Sequence, residues 1–235
     1  MSFREKYLGK ELNSILTASS IVFLSKIVAV SVGLITNIVI SNHYGESGLG
    51  SLAFILAFIT FYELLITAGF NTSTLKLIPE ARVRYSGSTS ICVFYKVIKI
   101  IMLIWIATAS ILAFAIYIAE DRFFFTGVSN SMMYMSLLVV LLYGLFNVFN
   151  SFFRSQNKIK TFALMQVIQP VCFLLSLLLI LLLWENSSSG YLSAYFFSIC
   201  FAFLIAFLGL LNSLKGYVRT EEDDKYSYTY LFKQT

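Results

Sequence analysis

Glu63 and Lys26 are ionisable residues that stand inside long runs of apolar residues. Glu63 lies in the middle of FITFYELLITAGF, residues 58–70. An ionisable side chain at the centre of a membrane helix costs about 2.5–3.5 kcal/mol on insertion scales, so it indicates a functional site with a nearby partner. Two interpretations follow: a buried ion pair that joins two helices, or the charged lining of a transport cavity. They are compatible, because a pair can form in one state and break in another.

The apolar runs around these residues have the length of membrane-spanning helices. The chain has 235 residues, of which 58% are hydrophobic, and its mean hydropathy is +0.81. A spanning helix needs roughly 20 apolar residues. Such runs occur at about 16–40, 50–70, 96–119, 132–153, 162–184 and 191–213. The sequence therefore predicts an all-α integral membrane protein, with a bundle of six transmembrane helices over residues 1–213.

The first run also follows basic residues, as a signal peptide does. We interpret it as a retained helix, because it is longer than a signal-peptide apolar segment and no A-x-A-like cleavage site follows it. Residues 214–235 carry charges and no apolar face, so they are predicted to form a cytoplasmic tail or linker.

The basic residues predict the orientation of the bundle. Lys and Arg concentrate in the N-terminus, in the 71–95 and 154–161 connections and in the tail. The connections that would lie on the opposite side of the membrane contain one basic residue, Arg122. Cytoplasmic segments carry the excess of Lys and Arg, so both termini are predicted to be cytoplasmic. The net charge of +5 then reflects topology and contact with anionic lipid headgroups, and nucleic acid is not a predicted partner.

Lys26 and Glu63 fall at comparable depths in this topology. A rise of 1.5 Å per residue places Lys26 about 15 Å and Glu63 about 10 Å from the cytoplasmic side. Long side chains can bridge that difference. The two residues are therefore predicted to lie close together in the cytoplasmic half of the bundle.

Further polar side chains recur at helical spacing within the spans. Interhelical hydrogen bonds explain any one of them, but polar stripes on four helices favour a cavity. The candidate cavity-lining residues are Lys26, Asn37, Glu63, Tyr143, Asn147, Asn150, Arg154, Gln166 and Gln169.

Catalytic and metal-binding signatures are missing from the sequence. The only histidine, His43, falls at the end of a predicted helix, and no H-E-x-x-H motif or nucleophile–base pattern occurs. The three cysteines show no ligand spacing. The sequence therefore predicts a protein that is not an enzyme and uses no cofactor or metal.

Two segments resemble a known family. Residues 35–80, ITNIVISNHYGESGLGSLAFILAFITFYELLITAGFNTSTLKLIPE, contain an aromatic-Gly turn, a second helix that closes in TAGFNTS, and a basic residue before IPE. The segment NVFNSFFRSQNKIKTFALMQVIQP has a short basic connection between two helices. Both resemble bacterial polysaccharide exporters and O-antigen flippases of the multidrug/oligosaccharidyl-lipid/polysaccharide exporter superfamily.

The resemblance implies the architecture of the complete transporter. Members of this family have about twelve transmembrane helices in two six-helix lobes, and a central cavity that opens alternately to either side of the inner membrane. This chain matches the N-terminal lobe. The resemblance thus implies a piece of a longer protein, a split or disrupted gene product, or half of a dimer, with a second lobe or polysaccharide assembly proteins as partners.

The resemblance also implies a cargo and roles for the polar residues. The cargo would be an undecaprenyl-pyrophosphate-linked oligosaccharide of O-antigen or lipopolysaccharide biosynthesis. Lys26 and Arg154 would bind the pyrophosphate, and the amides and phenols would bind sugar hydroxyls. Glu63 would bind a coupling proton or sodium ion, or hold Lys26 until the substrate displaces it. The alternatives are a drug/cation antiporter of the same superfamily, an integral membrane enzyme of polysaccharide biosynthesis, and a scaffold that does not transport.

Overall fold

The computed structural model describes residues 3–84, 87–118, 130–183 and 190–214, and all of these segments are helical or form short turns. The helices are α1 (Phe3–Thr67), α2 (Phe70–Arg84), α3 (Gly87–Ile118), α4 (Asn130–Ser155), α5 (Ile159–Leu183) and α6 (Gly190–Leu214). The predicted all-α class is confirmed. The predicted tail lies outside the described residues except for Leu214.

Helix α1 contains two of the predicted spans. Its 65 residues would measure about 98 Å if straight, three times the thickness of a bilayer core. Gly45, with φ 69° and ψ −170°, kinks it into a first segment (residues 3–44) and a second segment (residues 46–67). Only glycine adopts this backbone conformation readily. Residues 41–49, which separate the first two predicted spans, therefore form a helix with a kink at one residue rather than a loop.

The start of α6 packs against this kink. The Tyr44 and Tyr191 rings pack edge to face with centroids 4.8 Å apart, and the Tyr191 hydroxyl hydrogen-bonds the Ser51 hydroxyl. Tyr191 is buried. One side chain of α6 thus contacts both segments of α1 beside Gly45.

The predicted 71–95 connection is not a loop, because α2 and the first turns of α3 occupy it. Helix α2 is amphipathic, and its apolar residues are too few to form a run that predicts a membrane span. It buries Phe70, Leu77, Ile78 and Ala81, which follow helical spacing. Helix α3 also begins nine residues before the predicted span.

The outer surface of the bundle is apolar, and α4 lies at its centre. Helix α4 packs against each of the other five helices, and its Val148, Phe152 and Phe153 are fully buried. Large apolar side chains of α3 and of the first segment of α1 are exposed instead. In the described part of the chain, five helices are long and apolar enough to cross a membrane. The chain is a multi-pass membrane protein.

Candidate functional site: a buried carboxylate and a basic cavity

Glu63, on the second segment of α1, is buried with 4% of its surface exposed. Its Oε1 atom accepts a hydrogen bond of 2.9 Å from Nδ2 of Asn71 and one of 3.2 Å from Nδ2 of Asn147. A buried carboxylate needs such donors, because removing it from water is costly. We call Glu63, Asn71 and Asn147 the Glu63 cluster; it joins α1, α2 and α4.

A break in the chain brings Asn71 back to Glu63. In one continuous helix, eight residues would separate the two by about 12 Å. Ala68 and Gly69 instead have φ values of 44° and 78°, in the left-handed region that ends helices. The Thr72 amide and hydroxyl both bond the Gly69 carbonyl, so α2 restarts at once in a new direction. Asn71 thereby lies in the first turn of α2.

Close packing of α4 brings Asn147 to the same carboxylate. Gly144 lies one turn before Asn147, and a Cβ placed on it would be 3.0 Å from Cδ1 of Ile66 and 3.5 Å from Cγ2 of Thr67. A larger residue at 144 would hold the helices apart. The absence of a side chain therefore allows the short Asn147 amide to reach Glu63.

Two tyrosines extend this polar region into the bundle. The Tyr143 phenol lies near Asn147 and Glu63, and Tyr195 of α6 lies near Tyr143. Tyr195 is buried and packs edge to face on Phe173, with ring centroids 5.2 Å apart. Two predicted site residues of α4 thus lie beside Glu63: Tyr143 is a neighbour of its carboxyl group, and Asn147 donates a hydrogen bond to it.

The predicted pairing of Lys26 with Glu63 is wrong. Glu63 takes its hydrogen bonds from the two amides, whereas Lys26 is exposed and lines a separate cavity. The first segment of α1 packs on α5, where the Ser25 hydroxyl bonds Oε1 of Gln166 at 3.5 Å. Lys26 follows Ser25 with a rotation of about 100° around the helix, so it projects beside the α1–α5 contact instead of towards Glu63.

Lys26 and Arg154 share this cavity, which has a volume of about 630 Å³ and which we call the basic cavity. Its lining residues are Ala18, Ser19, Val22, Phe23, Lys26, Arg154, Asn157, Ile159, Phe162 and Gln166. They include two cations and no carboxylate. The structure therefore brings together three predicted site residues, Lys26, Arg154 and Gln166.

A tight turn between α4 and α5 positions the Arg154 side of the cavity. Asn157 has φ 61°, and the Lys158 amide bonds the Phe153 carbonyl at 3.0 Å, so α4 ends and α5 begins within three residues. The Arg154 guanidinium then lies over the Phe162 ring, 5.6 Å from its centroid. The ring holds the guanidinium against the wall by a cation–π contact.

The remaining predicted residues lie outside the basic cavity. Asn37 is exposed and lies eleven residues beyond Lys26, which is three turns along the same helix face. Gln169 is half-buried on α5, one turn past Gln166. Asn150 is buried on α4, between Asn147 and Arg154. Neither Asn37 nor Gln169 lines the basic cavity.

A second cavity of about 670 Å³ was not predicted. It opens where the start of α5 faces α1, and its lining residues are Asn13, Thr17, Ala18, Ile21, Asn157, Lys158, Ile159, Lys160 and Thr161. It shares Ala18, Asn157 and Ile159 with the basic cavity. Sequence reasoning also missed Asn71 and Asn157 as site residues. The sequence signals that could have indicated them are the turn-forming segments AGFN, which contains Asn71, and QNK, which contains Asn157.

The family follows from comparison of the sequence with known families. A profile described as polysaccharide biosynthesis protein matches residues 15–227. The chain belongs to the polysaccharide biosynthesis protein family. This confirms at the family level the resemblance seen in residues 35–80 and 147–170. No curated protein matches this chain significantly in sequence.

Three solved structures share the fold of this family member. One is a multidrug resistance MATE family transporter of the MOP superfamily in an outward-facing conformation, with a TM-score of 0.68 and 15% identity. Another is a MOP superfamily transporter from Pyrococcus furiosus, with a TM-score of 0.71 and 14% identity. The third is a MATE protein in complex with Br-NRF, with a TM-score of 0.67 and 16% identity.

The matches cover 94% of this chain but 49%, 49% and 53% of those three proteins. The chain thus spans about half the length of the solved structures it matches. This agrees with the prediction that it corresponds to one lobe of a two-lobed fold.

Proposed function

We propose that this chain is one six-helix lobe of a transporter that moves a lipid-linked oligosaccharide across the bacterial inner membrane by alternating access. The observation that carries the proposal is the basic cavity, where Lys26 and Arg154 face a common space with no carboxylate among its lining residues. The polysaccharide biosynthesis family supports a glycan as part of the cargo. A second lobe would close the cavity.

The lining chemistry suits an undecaprenyl-pyrophosphate-linked glycan. An arginine binds phosphate oxygens in a bidentate manner, and a lysine adds a compact positive charge. The amides of Asn157 and Gln166 can bond sugar hydroxyls at the same wall. The volume of about 630 Å³ lies within the range of ligand sites. The basic connection between α4 and α5 would lie on the cytoplasmic side, where such a cargo is assembled.

A drug/cation antiporter is the second candidate, since two of the matched structures are MATE proteins. A cationic drug favours an acidic lining, whereas this cavity carries two cations. The Pyrococcus furiosus transporter is described as having a binding pocket of reverse polarity that suggests a different function. Pocket polarity therefore varies within the superfamily and is a useful criterion for cargo.

The test compares charge variants of the cavity in the complete protein, expressed in its own host. Lys26→Glu and Arg154→Ala should lower surface glycan at least tenfold while membrane abundance stays unchanged. Lys99→Ala is the matched control, because Lys99 is exposed on α3 and lies outside the cavity lining. Surface glycan is measured by staining of extracts, and abundance by immunoblot.

The same strains separate the two candidates. Normal surface glycan in both cavity variants and in a gene deletion would contradict the glycan proposal. Sensitivity of the deletion strain to cationic drugs, restored by the unmodified gene, would then support the antiporter.

A further inference from the structure

We propose that the second cavity, between α1 and the start of α5, binds one anionic phospholipid, and that Lys158 and Lys160 bind its headgroup phosphate. The cavity has a volume of about 670 Å³, within the range of ligand sites. A lipid held singly in this space differs from the general attraction of basic segments to headgroups. Its binding does not depend on the identity of the cargo.

Two lysines supply the charge of the second cavity. Its nine described lining residues include Lys158 and Lys160 and no carboxylate. Nζ of Lys158 donates a hydrogen bond of 2.9 Å to the Ser213 hydroxyl of α6, which holds this ammonium group in place. A lysine ammonium has three donors, so two remain for phosphate oxygens. Lys160 is exposed and adds a second charge from the first turn of α5, where a helix favours an anion.

The wall that α1 contributes changes from polar to apolar along the helix. Asn13, Thr17 and Ile21 follow one another at one-turn spacing, so they lie on one side of α1 and span about 12 Å along its axis. The predicted orientation places Asn13 nearest the cytoplasm and Ile21 deepest in the membrane. A phospholipid has the same order of polar and apolar groups. Free phosphate has no apolar part for the Ile21 end of the cavity, so the lining favours a lipid.

The second cavity and the basic cavity lie on opposite sides of α1. At about 100° per residue, Lys26 of the basic cavity is about 180° around the helix from Thr17. Ser25, which bonds Gln166 of α5, falls between these two directions. The contact of α1 with α5 therefore separates the cavities, and a lipid in the second cavity leaves the proposed cargo space free. The described residues that line both cavities are Ala18, Asn157 and Ile159.

The test measures lipid binding to the purified, delipidated complete protein in detergent. Native mass spectrometry should show one phosphatidylglycerol retained per chain. Added phosphatidylglycerol should raise the melting temperature and phosphatidylcholine should not, because a ligand that binds only the folded state stabilises it. Lys160→Gln should weaken binding about fivefold, and the double variant Lys158→Gln/Lys160→Gln about twentyfold. Lys76→Gln is the matched control, because Lys76 is exposed on α2 and is predicted to lie on the same side of the membrane.

Thr17→Trp tests the cavity without a change of charge. Thr17 is exposed and lines the cavity, so a larger side chain there should fill the space and leave the fold intact. Phosphatidylglycerol binding should fall at least tenfold. Lys26→Glu should keep full binding even where it abolishes glycan export, because Lys26 lies outside this cavity. Failure of the lipid site is thereby distinguished from failure of the proposed cargo.

Four results would overturn the proposal: equal retention of phosphatidylglycerol and phosphatidylcholine, an equal loss in Lys160→Gln and Lys76→Gln, full binding by folded Thr17→Trp, or the same thermal shift with inorganic phosphate. The first needs no variant and so does not depend on variant folding. The second would indicate a general attraction of charges to headgroups. The last would indicate a site for free phosphate instead of a lipid.

Discussion

Asn147 and Glu63 are 84 positions apart in the sequence, yet Nδ2 of Asn147 lies 3.2 Å from Oε1 of Glu63. The same oxygen accepts the Asn71 amide, so one carboxylate atom joins three helices. An amide pair satisfies the carboxylate without neutralising it. Both donors are neutral amides, and this separates the Glu63 cluster from an ion pair.

Replacement of Glu63 tests the structural part of this arrangement. In Glu63→Leu, both amide donors lose their acceptor, and each unsatisfied buried group costs about 1–3 kcal/mol. We expect a clear fall in the melting temperature of the purified complete protein. Glu63→Gln keeps an acceptor oxygen and should stay close to the unmodified protein. Equal melting temperatures for Glu63→Leu and Glu63→Gln would show that the two hydrogen bonds do not stabilise the fold.

Gly144 tests the close approach of α4 to α1. Gly144→Val should overpack the contact with Ile66 and destabilise the protein by about 1–3 kcal/mol. Gly33→Val is the matched control, because a Cβ at residue 33 meets nothing within 4 Å. Thermal unfolding in detergent compares the two. A smaller loss at 144 than at 33 would be inconsistent with the packing described above.

Gly45 tests the kink in α1. Its φ of 69° with ψ of −170° is nearly exclusive to glycine, so Gly45→Ala should cost about 1–3 kcal/mol although open space surrounds the position. Gly50→Ala, at an equally open position without a positive φ, should have little effect or stabilise slightly. Chemical denaturation of both variants measures the difference. Indistinguishable midpoints would rule out backbone strain as the role of Gly45.

Tyr191 tests the contact between α6 and the kink. Tyr191→Phe removes the hydroxyl that bonds Ser51 but keeps the ring against Tyr44. We expect a loss of about 0.5–1.5 kcal/mol, the usual contribution of one hydrogen bond. Tyr134→Phe, at an exposed tyrosine, serves as the control. Thermal unfolding should show a lower midpoint for the 191 variant alone, and the reverse order would refute the role of this hydroxyl.

Local patterns determined much of the fold. Apolar runs of about 20 residues predicted the spans, and 3.6-residue periodicity placed Tyr143, Asn147, Asn150 and Arg154 on one face of α4. These signals depend on residues within a few turns of each other, so they can be read from the chain. These signals did not reveal helix α2, because its apolar face is short. They did not reveal the kink at Gly45 either, because a single glycine takes the place of a loop.

The partner of Glu63 was decided only by the tertiary structure. Sequence depth put Lys26 near the level of Glu63, but depth does not specify the direction of a side chain around its helix. The Ser25 contact with Gln166 turns Lys26 into the basic cavity. The breaks at Ala68–Gly69 and the missing side chain at Gly144 bring two amides to Glu63 instead. Such contacts depend on how whole helices pack, and this information is distributed over residues far apart in the sequence.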